Sequence, residues 1–135
     1  MGYIFTTNNV NSTFIMGQKL NFASKQLTGC IIRNVDITGT IFTGATLNNV
    51  KSSGITHSVN DPPVFTAGSG YRINSGFLVG PSVDLSGENM VGVDLSGENL
   101  TSVNFVNADM SGANLYGTTL SVSYTHLTLP TKRIV

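Results

Sequence analysis

Large apolar residues recur at every fifth position along two stretches of the chain. The clearer stretch holds Leu85, Met90, Leu95, Leu100, Phe105, Met110, Leu115 and Leu120. Within it, Val83–Ser102 repeats nearly the same ten residues, VDLSGENMVG and then VDLSGENLTS. An earlier stretch spaces Phe22, Leu27, Ile32, Ile37, Phe42 and Leu47 in the same way. Period five suits neither regular element, because steps of five drift around a helix and alternate sides of a strand. A backbone that turned a corner every five residues would keep one position pointing inward at each step. Coiled upon itself, it becomes a solenoid whose rungs hydrogen-bond to their neighbours.

The positions around each centre support that reading. Two places before the centres stand mostly small residues, such as Cys30, Val35, Ala45, Val83, Val93, Ala108 and Ala113, with Lys25, Glu88 and Glu98 as exceptions. Between them the second stretch carries Asp84, Asn89, Asp94, Asn99, Asn104, Asp109 and Asn114. After the centres come Ser86-Gly87, Ser96-Gly97 and Ser111-Gly112, residues that turn corners at low cost. Leu47 and Leu85 lie thirty-eight residues apart, so the two arrays are out of register. The Gly-, Pro- and Ser-containing residues 51–82 between them read as an insertion. Its end predicts a hairpin, with Tyr71–Ile73 and Phe77–Val79 around a turn at Asn74-Ser75-Gly76. The chain therefore divides into a lead-in or cap (1–19), a first array (20–50), an insertion with a hairpin at 71–79 (51–82), a second array (83–120) and a tail (121–135).

VDLSG, ENLTS, NADMS and GANLYG resemble the A(D/N)LXX signature of pentapeptide-repeat proteins. The resemblance covers residues 83–120 well and 20–50 less cleanly. It implies an all-β fold, a right-handed quadrilateral β-helix with about four pentapeptides per coil and the centre residues inside. A twenty-residue coil stacks residue n on n+20 at about 4.8 Å. The stacked centres are then Leu85/Phe105, Met90/Met110, Leu95/Leu115 and Leu100/Leu120. Asp84/Asn104, Asn89/Asp109 and Asp94/Asn114 place every aspartate beside an asparagine, which avoids opposed like charges. Cys30 takes an inward slot that cysteine often fills in this family, where it packs as a small hydrophobe. Stretches like Gly70–Pro81 recur in the family ahead of such arrays. The hairpin is accordingly expected to be a joint, with Phe77 and Val79 packed on the first coil. The other reading is a protruding interaction loop presenting Tyr71, Arg72 and Phe77.

Past Leu120 the register ends. Val122–Thr131, VSYTHLTLPT, matches the translation of a transposon-library sequencing adaptor. The tail is expected to be an artefact, with the natural chain continuing beyond Leu120 and no functional weight on His126, Lys132 or Arg133. The alternative is a cap in which Leu127 and Leu129 cover the open end.

Composition narrows the chemistry. Charged residues make up 10% of the chain and the formal net charge is +0. A lone cysteine excludes an internal disulfide, and no apolar run reaches the roughly 20 residues of a membrane span. With no signal-peptide pattern, a cytoplasmic location is the default expectation. Glu88 and Glu98 occupy slots meant for small inward residues, on opposite sides of one rung. Burying an unpaired carboxylate is expensive, so both are expected to escape outward at the corners. His57 is the only histidine outside the tail, so no zinc set forms, and no serine has a base at a telling spacing. Neither an enzyme nor a cofactor is expected.

Residues 83–120 hold Asp84, Glu88, Asp94, Glu98 and Asp109 without a cation, whereas Lys19, Lys25, Arg33, Lys51 and Arg72 lie before them. No basic stripe exists for nucleic acid. Some pentapeptide-repeat proteins mimic duplex DNA and bind topoisomerases, which makes an inhibitor of that kind one alternative. Asp84 and Asp94, however, are expected on opposite faces. A further alternative is the stalk of a larger, truncated protein. The favoured expectation is a non-enzymatic scaffold that offers flat polar faces to an unknown protein partner. Its coil ends would also suit a homodimer.

Overall fold

The computed structural model describes residues 3–6 and 13–120. Strands β1 (Tyr3–Thr6) and β2 (Thr13–Met16) pair antiparallel, with Tyr3 opposite Met16. Residues 121–135, and with them the adaptor-like segment, His126, Leu127, Leu129, Lys132 and Arg133, lie outside the described residues. None of the helices that would be long and apolar enough to cross a membrane occurs among the described residues.

The period of five has a backbone cause. Positive φ recurs at Lys19, Ser24, Gly29, Asn34, Gly39, Gly44, Asn49 and Gly54, and again from Ser82 and Gly87 through to Gly112 and Gly117. At many of these corners the next residue's N–H donates back to the carbonyl of the preceding centre, as from Cys30 to Leu27, Val93 to Met90 and Ala113 to Met110. An i→i+3 bond with positive φ at the third residue marks a type II turn, which explains the run of Gly, Asn and Ser at this position.

Twenty residues return the chain to register. Strands β3 (Ile31–Arg33) and β4 (Lys51–Ser53) pair in parallel with Ile31 opposite Lys51. Single parallel bridges join Asn21 to Ile41, Gln26 to Thr46, Asp84 to Asn104, Asn89 to Asp109, Asp94 to Asn114 and Asn99 to Thr119. The thirteen centres from Phe22 to Leu47 and from Leu85 to Leu115 are buried, none more than 7% exposed, and Leu120 packs on them partly buried. Phe22 stacks on Phe42 with ring centroids 5.9 Å apart, and Phe42 on Phe65 at 5.2 Å.

The arrays that are out of step in sequence are continuous in space. Asp84 bridges to Lys51 on one side and to Asn104 on the other, and its N–H donates to the Val50 carbonyl. The extra residues of the insertion are absorbed between these rungs. Strands β5 (Arg72–Asn74) and β6 (Phe77–Val79) form an antiparallel hairpin with Asn74 opposite Phe77. Ser75 and Gly76 both have positive φ, 54° and 84°. That pair is the two-residue type I′ turn that suits strand twist. The turn is therefore one residue shorter than the sequence suggests, and Asn74 belongs to a strand.

The hairpin lies inward. Phe77, Leu78 and Val79 are all buried, and the Leu78 N–H donates to Ser52 Oγ at 2.7 Å. Ser52 follows the frame of the centres and is 1% exposed, so a hydroxyl stands where the repeat otherwise places an apolar side chain. Ile73 and Leu78, which face each other across the hairpin, line a cavity of about 10 Å³ together with Ile32, Ile37, Phe42 and Leu47. Those last four are successive centres of one coil, so the hairpin plugs the hollow of the first array. The space has room for about one water but offers it no polar partner.

Gly92 tests the corner rule in isolation. Its φ is +70° and a Cβ there would meet nothing within 4 Å. Gly92→Ala is expected to cost about 1 kcal/mol from backbone conformation alone. Val91→Ala, at a neighbouring exposed position, is expected to stay within about 0.5 kcal/mol. Denaturant unfolding measures both.

Candidate functional site

The corner slots before the centres are small and buried wherever they hold Val83, Val103, Ala108 or Ala113. Glu88 and Glu98 occupy the same kind of slot, 9% and 5% exposed. The expectation that these carboxylates escape into water is therefore corrected: both stay inside, because cations from other parts of the chain meet them. Glu88 Oε2 lies 3.2 Å from Arg33 Nη2 and 3.1 Å from Lys51 Nζ. Lys51 Nζ also donates to the Ser86 carbonyl and lies 4.0 Å from Asp84 Oδ1. Glu98 Oε2 accepts from Arg72 Nε at 2.7 Å and from Asn74 Nδ2 at 3.0 Å. Attraction and hydrogen bonding at this range offset the loss of water around a buried carboxylate. Arg33 comes from the first array, Lys51 from β4 at the start of the insertion and Arg72 from the hairpin, so both ion-pair groups sit between the arrays. The signal that could have found them is the charge division itself, with acids in residues 83–120 and cations before them.

The three residues of the candidate interaction hairpin are engaged with their own chain. Phe77 is 8% exposed. Tyr71 Oη donates to the Pro81 carbonyl at 2.7 Å, and its ring centroid lies 6.5 Å from that of Phe65. Burial raises the Tyr71 hydroxyl's pKa. A Cβ at Gly80 would overlap the Tyr71 ring, and the φ of +150° there suits glycine. Arg72 keeps a largely exposed side chain while its Nε holds Glu98. Cys30 is fully buried, and burial pushes its thiol up to about 11, which leaves it a packing residue with little thiolate at neutral pH.

The Asp/Asn column acts on its own backbone. Oδ1 of Asp84, Asn89, Asp94, Asn99, Asn104, Asp109 and Asn114 each accepts the N–H two residues ahead. These Asx turns fix the start of each corner, a role that the outward direction of the slot did not disclose. Hydroxyl donors and then backbone N–H groups hold Asp36, Asp94 and Asp109 below the usual carboxylate range, through Thr38, Ser96 and Ser111 respectively. Of the acids in residues 83–120, Asp84, Glu88 and Glu98 have a cation within 4.0 Å. Among the described residues, no group of three or more His, Cys, Asp or Glu side chains gathers in a way that could hold a metal ion.

A family model described as pentapeptide repeats matches residues 82–121 with eight copies. No curated protein matches the chain. Two trypsin-treated structures of QnrB1, a plasmid-mediated fluoroquinolone resistance protein, are similar to it. The first is 13% identical with a TM-score of 0.30, covering 76% of this chain and 63% of that one. The second is 17% identical with a TM-score of 0.22, covering 74% and 38%. The chain thus spans less than two thirds of either QnrB1 chain. Residues 82–121 thus match pentapeptide repeats, and the bridges from Asp84 to Thr119 build that stretch as a strand-based coil.

Glu88→Ala leaves Lys51 and Arg33 facing an empty slot. It is expected to destabilise by about 2 kcal/mol, the cost of a broken buried pair reduced because both cations are partly exposed. An unchanged melting temperature would place the carboxylate in water after all. The aspartates yield a second expectation. Their folded pKa values are lowered relative to the ordinary 3.8, so their contribution is complete above that value. It is lost as pH falls through the lower folded values, so melting temperature should drop below about pH 4. Asp36→Asn, Asp94→Asn and Asp109→Asn together keep the acceptor and remove the titration. They are expected to flatten that drop in thermal scans.

Proposed function

We propose that this chain is a non-enzymatic scaffold that binds a protein partner along the sides of a right-handed quadrilateral β-helix. One observation carries the reading: the outward column from Asp84 to Asn114 is fastened to its own backbone by Asx turns, which gives preformed sides there. A surface ordered before binding loses little conformational entropy when a partner docks. In the first array, where Asn21 is followed in the same column by Ile41 and Val64, the last two bridge each other and are 36% and 48% exposed, a small apolar step. Inhibition of a topoisomerase-type enzyme through charge mimicry receives less support, because ion pairs within the chain engage Asp84, Glu88 and Glu98.

The test is photo-crosslinking from side positions in cells of the source organism, compared between the parent chain and the Ile41→Lys, Val64→Lys double variant. The parent is expected to crosslink one defined protein, and the variant to lose it with an unchanged melting temperature. Crosslinking that is absent in the parent, or undiminished in the folded variant, sinks the reading.

A further inference from the structure

The buried core passes from the first array to the second without a break, yet the chain that joins them runs outside both. Thr66 is still fastened to the first array, because its Oγ1 accepts the Gly44 N–H at 2.7 Å. Gly70 already lies against the second, where a Cβ would stand 3.1 Å from Asn99 Cβ. Between them Ala67 and Gly68 are exposed, and a Cβ on Gly68 would meet nothing within 4 Å.

On either side of that link the chain is bonded to itself. In the earlier piece, the Gly39 N–H donates to the Asp61 carbonyl and the Phe42 N–H to the Val64 carbonyl, both at 2.7 Å. Lys19 also pairs with Asp61 at 3.1 Å. In the later piece, Tyr71 Oη holds the Pro81 carbonyl, and Arg72 and Asn74 hold Glu98. The Ser82 N–H there donates to the Thr101 carbonyl at 2.8 Å.

The surface where the two pieces meet is matched in shape, bonding and charge. Ile73 and Leu78 of the later piece close over Ile32, Ile37, Phe42 and Leu47 of the earlier one. Backbone N–H groups cross in both directions, from Asn49 to the Ser82 carbonyl, from Ile55 to the Gly76 carbonyl and from Asp84 to the Val50 carbonyl. The Leu78 N–H meets Ser52 Oγ. The later piece brings the buried Glu88, and the earlier piece brings Arg33 and Lys51 to meet it. Without those cations the carboxylate would be buried unpaired, so each piece completes the other.

We propose that the first array carries a binding site for residues 70–120 that works in trans, so that the same piece of a second copy of this chain fills it. The contacts just described are all non-covalent, and none of them uses Ala67 or Gly68. Exchange of an identical piece between copies therefore keeps every one of them. What is lost with the link is its tethering, which association must then replace.

A protease recognition sequence inserted between Ala67 and Gly68 of the full chain, and cut in the folded state, tests the idea. The two pieces are expected to elute as one particle of the parent's size at low micromolar concentration. Two cut samples, one tagged on the earlier piece and the other isotopically labelled, are then mixed, passed through urea and returned to buffer. The tagged piece is expected to capture the labelled later piece, and Glu88→Ala to weaken that capture at least tenfold. Pieces that part in buffer overturn the proposal, as does a tagged piece that captures no labelled partner while the uncut chain recovers alongside. Capture undiminished by Glu88→Ala is non-specific association and also overturns it. So does a folded chain that resists cutting at the inserted sequence.

Discussion

A left-handed corner at every fifth residue is the constraint on which the rest of this molecule depends. Positive φ is disfavoured for most side chains, so the chain spends Gly, Asn and Ser there, and the short turn that results fixes the length of each side. Four such steps bring twenty residues back above their starting point, where backbone groups meet in parallel bridges. The inward position then repeats without choice, and it is filled by large apolar side chains throughout the second array. Interior packing, ladder bonding and the Asx turns are all consequences of the corners being evenly spaced.

This explains which parts of the structure were readable from the chain. Centres and corners are local and periodic, so spacing alone marked them, whereas Leu85 over Phe105 and Asp84 beside Asn104 followed from the twenty-residue coil that the resemblance to pentapeptide-repeat proteins implies. The hairpin is legible from its turn chemistry, although that chemistry extends the turn to Asn74, which pairs with Phe77 in the strands. The fate of Glu88 and Glu98 was not legible. Each carboxylate is satisfied by residues far away in sequence, Arg33 and Lys51 for one and Arg72 for the other, and no periodic rule brings these together. Treated alone, a carboxylate in a small inward slot must leave it; with a cation opposite, it stays.

Ser52 shows the same limit. In the frame it is simply the next centre, and a serine there looks like a lapse in the repeat. In the fold its hydroxyl accepts the Leu78 amide and so stitches the hairpin to the coil it plugs. A polar residue in an apolar column is tolerated because the hairpin supplies its donor. The insertion is thus continuous with the core on both sides, and the two arrays behave as one ladder in which a hairpin replaces part of a coil.

The near-identity of Val83–Gly92 and Val93–Ser102 carries a rule for how far such an array can lengthen. A unit of ten residues is half a coil, so its glutamate falls on alternate sides, and each side here has a cation waiting. A third faithful copy would put glutamate at position 108, twenty residues from Glu88 and therefore directly over it. Two carboxylates would then stack inside the wall, with the one set of cations on the far side of Glu88 from the new one. The chain has Ala108 there, 6% exposed. Growth by copying can proceed only if the copy is edited, and the number of cations at the joint sets how many unedited copies the wall will accept.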